Sequence, residues 1–135
     1  MLLIDTNVLV RCCLGRASRH VEALRYRGID LATTAHNVDE LIDRLANKFL
    51  LAADMIDQRV QRVLDPIEIV GPEQYAHMRT VAGSRLRAGG QSDWPALAAA
   101  LAVEGPIWSE DVDFFGVGVP VWCTANLQFI GANHA

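Results

Sequence analysis

Four carboxylates in this 135-residue chain, Asp5, Glu40, Asp93 and Asp111, sit where a globular fold has a poor structural use for an acid or a natural place for a site. Each has an ordinary alternative. Asp5 can cap the helix that begins near Asn7. Glu40 can pair with Arg44 at i+4. Asp93, in Ser92-Asp93-Trp94-Pro95, can cap a helix. Asp111 and Asp113 can close an Asx-type turn. Taken singly, none of these residues decides the matter. Gathered in one cleft, carboxylates repel unless a cation neutralises them or some stay protonated. Hard oxygen ligands without His or Cys select Mg²⁺ or Mn²⁺ over Zn²⁺. Such an ion binds phosphate oxygens and activates a water, and a second ion can stabilise a leaving oxygen. That is the chemistry of metal-assisted phosphodiester hydrolysis.

The elements that must position these acids follow from apolar runs and their punctuation. Residues 2–4 form a buried strand that delivers Asp5 to its C-terminal end, where open parallel sheets place their ligands. Residues 7–14 read as a helix closed by Gly15. A second helix, about 19–27, is capped by Ser18 and closed by Gly28. Residues 29–32 form a second strand, and Thr33-Thr34 supplies the N-cap of a long helix. In that helix Val38, Leu41, Ile42, Leu45 and Phe49 recur at helical spacing and are expected to face the core. Glu40 lies one step off this stripe and can reach the sheet edge. Asp39 and Asp43 sit further round, though both remain candidates for the helical acid.

A helix over about 51–64, with Met55, Ile56, Val60, Val63 and Leu64 apolar, ends before Pro66. Residues 67–70 are a third strand. A helix then runs from Pro72 to about Arg87, with Tyr75, Met78, Val81, Ala82 and Leu86 facing in. The Ala- and Leu-rich helix after Asp93 reaches about Val103 and is suited to close packing on a sheet. Residues 106–108 and 119–123 are the fourth and fifth strands. Between them, 109–115 is a polar loop or short helical turn, and the tail from Thr124 is expected to be loop. Strands alternating with helices imply an α/β fold with a parallel sheet and right-handed crossovers. The length fits one domain, residues 1–135.

Composition narrows the class. Half the residues are hydrophobic and about a fifth charged, which excludes a disordered chain. No apolar run approaches the roughly 20 residues of a membrane span, and Asp5 interrupts the N-terminus before any signal-like segment forms. A cytoplasmic protein with no membrane partner is expected. Cys12, Cys13 and Cys123 form no CxxC and are expected to be reduced. His20, His36, His77 and His134 lack metal-site spacing. The net charge is −4, which argues against duplex binding by bulk charge. Residues 1–27 differ: Arg11, Arg16, Arg19, Arg25 and Arg27 stand against Asp5 and Glu22, a balance of +3. This segment is a candidate phosphate-contacting face, with Arg11, Arg16 and Arg19 as the RNA-binding candidates; a solvated helix surface is the alternative.

The stretch Leu3-Ile4-Asp5-Thr6-Asn7, a mid-chain helical Glu40, Ser92-Asp93-Trp94 opening a helix, and Ser109-Glu110-Asp111-Val112-Asp113-Phe114 resemble, in order, the four motifs of the PIN domain, in particular its VapC-like ribonucleases. The first and last motifs are moderately specific, and Glu40 alone is weak. The resemblance implies a three-layer fold with a five-stranded parallel sheet in the order 3-2-1-4-5. It implies that Asp5, Glu40, Asp93 and Asp111 are the catalytic, metal-binding acids. Asn7 and Ser109 then orient the site and Asp113 is an accessory acid. The implied activity is Mg²⁺- or Mn²⁺-dependent cleavage of single-stranded RNA. Small free-standing members resemble toxins that form homodimers and are blocked by an antitoxin protein.

Two other classes compete. A non-catalytic PIN-like module for binding RNA or protein would lose acids that this chain keeps. A haloacid-dehalogenase-like phosphatase would need a second acid at position 7, where Asn7 stands, and a suitably placed lysine; the chain's only lysine is Lys48.

Overall fold

A computed structural model of the protein describes residues 1–131. His134 and the end of the C-terminal tail lie outside the described residues. Five parallel strands form the sheet: β1 (Leu2–Ile4), β2 (Leu31–Thr34), β3 (Glu68–Val70), β4 (Ile107–Trp108) and β5 (Val121–Trp122). Their order is β3-β2-β1-β4-β5, as the sequence motifs implied. Leu3 pairs with both Ala32 and Ile107, and Ile4 with Trp108. The central strand β1 is therefore paired on both edges, and its three residues are buried on both faces. That is why it reads as an unbroken apolar run rather than an alternating one.

Side chains of β1 alternate between two cores. Leu2 and Ile4 join Trp108 and the apolar faces of α1 (Thr6–Cys13), α2 (Ser18–Tyr26), α3 (Ala35–Asn47) and α4 (Ala53–Leu64). Leu3 faces the other way, with Ala32 and Ile107, against α5 (Pro72–Tyr75), α6 (Arg79–Arg85) and α7 (Trp94–Val103). Successive strand residues point to opposite faces, so three residues suffice to hold both layers. Ala96, Ala98, Ala99 and Ala100 of α7 are buried, and such small side chains let the helix approach the sheet closely. The chain leaving α7 runs equally close: a Cβ at Gly105 would collide with the Met1 carbonyl oxygen. Gly15 and Gly28, both at φ +80°, close α1 and α2 in the left-handed conformation that a side chain disfavours.

Several local expectations need correction. Ser18 is the first residue of α2, not its cap, and its hydroxyl donates to the Cys12 carbonyl. Strand β2 starts at Leu31 and includes Thr33 and Thr34; Thr34 still caps α3, accepting from the Asn37 N–H at 3.0 Å. Helix α3 buries Asn37, Leu41 and Leu45, while Ile42 and Phe49 are exposed. The buried face thus keeps Leu41 and Leu45 but turns toward Asn37 and away from Ile42. Met55 on α4 is exposed as well.

The helix expected over 72–87 is broken into α5, a 3-10 turn at Ala76–Met78, and α6, with Val81 facing out. Tertiary contact overrides local propensity there. Tyr75 packs on the Trp94 ring at 5.8 Å, and the Arg79 guanidinium lies 4.8 Å over the same ring. The tail from Thr124 begins as a 3-10 segment, Thr124–Phe129, rather than a loop.

Candidate active site

Asp5 is the first residue beyond β1, and Ser109 is the first beyond β4. The Asp5 N–H donates to the Trp108 carbonyl at 3.0 Å, so the two strand ends lie side by side. Asp5 is only 6% exposed. Its Oδ2 accepts from the Ser109 hydroxyl at 2.7 Å and the Asn7 amide at 3.2 Å; its Oδ1 accepts from the Asn37 amide at 3.3 Å. The carboxylate is thus oriented from β4, α1 and α3. Ser109 Oγ in turn accepts from the Asp111 N–H at 2.9 Å, and Asn7 Oδ1 from the Glu110 N–H at 3.4 Å. Asn7 and Ser109 are therefore built around Asp5 and the loop after β4.

Glu40 reaches the same edge. Its Oε1 accepts from the Thr6 hydroxyl at 3.0 Å, and Thr6 adjoins Asp5 in the chain. The surface pairing also exists, with Arg44 at 3.9 Å and His36 at 3.6 Å, but at these distances and 34% side-chain exposure it is weak. Asp43 engages Asn47 at 2.7 Å instead, and Asp39 is exposed, so Glu40 is the helical acid that meets Asp5.

Asp93 occupies the N-cap position of α7 but makes no capping hydrogen bond, so capping does not explain it. Asp111 does support a turn: its Oδ1 accepts from the Asp113 N–H at 2.9 Å. That leaves its other oxygen uncommitted to the turn. Carboxylate oxygens of Asp93, Asp111 and Asp113 all lie within 4.8 Å of one another. Asp113, expected to be accessory, stands in the cluster itself. Arg87 donates to it at 2.6 Å, and Gly90 packs against its side chain where a Cβ would come within 3.0 Å.

The electrostatics join the two groups. Burial pushes the Asp93 carboxyl up from 3.8 to about 7, helped by the charges of Asp5, Asp111, Asp113 and Glu40. Burial also raises Asp5; the Ser109 hydroxyl and the Thr6 backbone oppose this, while Asp111 and Glu40 add to it. Five acids therefore stand within range of one another's charge, and the arginines paired with them among the described residues, Arg87 on Asp113 and Arg44 on Glu40, are 64% and 42% exposed. Carboxylate oxygens at such spacing, with no His or Cys among them, are the donor set of a hard divalent ion. The arrangement fits Mg²⁺ or Mn²⁺ on its own chemistry.

The basic segment lies beside the acids. Arg11, Arg16, Arg19 and Arg27 line one groove with Glu110, Thr124 and Gln128. Glu110 joins it to the site, accepting from the Thr124 N–H at 2.7 Å and lying 4.0 Å from Arg11. Sequence reasoning missed Asn37, Thr6 and Arg87. The signal for Asn37 was present: with Leu41 and Leu45 it forms an i, i+4, i+8 row, a polar residue on a buried face. Arg87 carries no comparable signal, because its partner lies 26 residues away.

No curated protein matches the chain. Solved structures share its fold. FitAcB from Neisseria gonorrhoeae superposes with a TM-score of 0.63 at 22% identity, covering 96% of this chain and 100% of that one. FitAB bound to an IR36 DNA fragment superposes with a TM-score of 0.56 at 23% identity, covering 91% and 94%. The family model described as PIN domain matches residues 3–130. On that match, with four acid motifs in order on a 3-2-1-4-5 sheet, the chain belongs to the PIN domain family.

Proposed function

We propose that the protein is a Mg²⁺- or Mn²⁺-dependent endoribonuclease that cleaves single-stranded RNA, acting as one domain over residues 1–135. The observation that carries this reading is the gathering of carboxylate oxygens from Asp93, Asp111 and Asp113 within 4.8 Å of one another; burial, and then the charges of Asp5, Asp111, Asp113 and Glu40, raise the Asp93 carboxyl to about 7. Charge concentrated in this way is relieved by protonation or by a bound cation, and a cation turns the same cluster to chemistry. Asp5, Asp93 and Asp111, with Glu40, are the residues that would hold it, and Asp113 borders the same space. Once bound, such an ion lowers the pKa of a water and takes up charge on phosphate oxygens. Ser109 and Asn7 keep Asp5 in one orientation, so little rearrangement is needed on loading. The arginine groove guides the phosphate backbone past the acids without reading base sequence.

Membership in a nuclease family disfavours the phosphatase reading. A non-catalytic module has no use for five converging acids, so catalysis is the better account. The further reading is a cytoplasmic toxin that forms a homodimer and is blocked by an antitoxin protein. One structure of similar fold is of FitAB bound to DNA, which makes a partnered assembly worth seeking here. Among the described residues, no helix is long and apolar enough to cross a membrane.

Purified protein with Mn²⁺ is expected to cut unstructured RNA, and EDTA or Asp5→Asn to stop it. Activity that survives Asp5→Asn in contaminant-free protein sinks the mechanism. Replacing Arg16 and Arg19 together with Ala should weaken RNA binding and flatten its salt dependence, by about 0.7 in the log–log slope per lost phosphate contact. An unchanged slope removes the groove from the proposal.

A further inference from the structure

Asn37 is 3% exposed and carries a primary amide into the sheet edge. Its Nδ2 donates to Asp5 Oδ1 at 3.3 Å and to Thr6 Oγ1 at 2.7 Å. An amide nitrogen has two protons, and both are used. Its Oδ1 accepts from the Thr34 hydroxyl at 2.5 Å, while the Thr34 oxygen accepts from the Asn37 N–H. This settles the amide's orientation, because the flipped form would set a carbonyl oxygen against the Asp5 carboxylate. The Thr6 oxygen is occupied by the Asn37 donor, so its own proton is directed to Glu40 Oε1 at 3.0 Å. A continuous polar chain therefore runs Thr34, Asn37, Thr6, Glu40, with a branch from Asn37 to Asp5.

Helix α3 has an apolar alternative at this position. Asn37 continues the row of Leu41 and Leu45, and a leucine there would extend the core without a polar group to satisfy. An amide on the buried row costs free energy unless every group is matched, and here every group is matched to the acids or to their neighbours.

We propose that Asn37 is a positioning residue for the candidate metal centre, locking the helical acid Glu40 to the strand acid Asp5 through Thr6. The inference rests on the divalent-ion reading of the site given above. Groups that orient metal ligands from behind typically contribute about 10–100-fold to ion affinity.

The test is Mn²⁺ binding to the full chain, read from the free-ion electron paramagnetic resonance signal, with circular dichroism confirming the fold. Asn37→Leu is expected to weaken Mn²⁺ by about 10–100-fold. Thr6→Val, nearly isosteric, leaves the Asp5 contact and should cost about 3–10-fold. The double variant should lose less than the product of the two, because both cut one chain. A merely structural role lowers the melting temperature and leaves the affinity of the folded protein within about twofold of wild type; that result overturns the proposal. If Asn37→Leu does not fold, Thr6→Val alone decides on the same criterion. Wild type that binds no Mn²⁺ overturns the divalent-ion reading and this proposal together. Wild type that binds, with Asp5→Asn losing the ion and the Asn37 and Thr6 variants keeping it, overturns only the positioning role.

Discussion

Asp5 and Asp93 lie in the same cleft, yet the chain treats them in opposite ways. Asp5 is almost fully buried and receives hydrogen bonds from Ser109, Asn7 and Asn37, so its carboxylate is oriented by three elements of the fold. Glu40 is tied to the same network through Thr6. The half formed by Asp93, Asp111 and Asp113 is more open, and its oxygens crowd within 4.8 Å of one another. Its partners there are few: the Asp113 N–H on Asp111 and Arg87 on Asp113. Hydrogen bonds stabilise a charged carboxylate, whereas neighbouring charges destabilise it. One half of the site is thus an anchor organised in advance. On the proposed reading, the other half gains its stability when a cation binds.

The largest effect should come from the anchor. Asp5→Asn removes a charge and presents an amide to Ser109 and Asn37, and RNA cleavage is expected to fall by at least about 100-fold. Asp113→Asn, already paired with Arg87 and held by fewer hydrogen bonds than Asp5, should cost much less. Equal losses from the two substitutions, measured as kcat/KM, would erase the distinction between the halves.

A smaller effect concerns pH and stability. Asp93 holds its proton up to about pH 7 in the folded protein, against an ordinary 3.8. Between those values the folded state binds more protons than the unfolded one, so stability falls as pH rises through the window. Metal-free wild type should therefore melt at lower temperature at pH 7.5 than at pH 5. Asp93→Asn should remove part of that fall, and saturating Mn²⁺ should reverse it through binding to the folded state. A wild type and an Asp93→Asn variant with parallel melting curves against pH would show that Asp93 is not strained.

The smallest effect belongs to Arg87. It is largely exposed, and its pairing with Asp113 is worth little in water. Arg87→Ala should leave stability nearly unchanged and tighten Mn²⁺ by up to about fivefold, since one competing cation is gone. Calorimetric titration showing weaker binding would mean that Arg87 supports the site rather than competes for it.

The parts legible in sequence are those fixed by local rules. Leu2–Ile4 followed by Asp5, the glycines closing α1 and α2, and Pro95 in the first turn of α7 each announce an element by its own residues. The alternation of strands and helices then brings Asp5, Asp93 and Asp111 to one edge. What escaped depends on contacts between distant segments. The turn of α3 toward Asn37 accompanies its hydrogen bonds to Asp5 and Thr6; the row with Leu41 and Leu45 hinted at the face but not at these partners. The break in the helix after Pro72 accompanies Tyr75 and Arg79 packing on Trp94. The entry of Asp113 into the cluster accompanies an arginine 26 residues earlier in the chain. The sequence favours Glu40 as the helical acid with Asp39 and Asp43 left open, and the stripe that orients its helix includes Ile42 and Phe49, which are exposed.

Anomalous diffraction from crystals grown with Mn²⁺ tests the central claim most directly, because it reports where the ion sits. The account predicts a peak at the C-terminal edge of β1 and β4, within about 2.5 Å of carboxylate oxygens from Asp5, Asp93 or Asp111. A saturating Mn²⁺ concentration that yields no peak there, or a peak only at acids elsewhere on the surface, would contradict it.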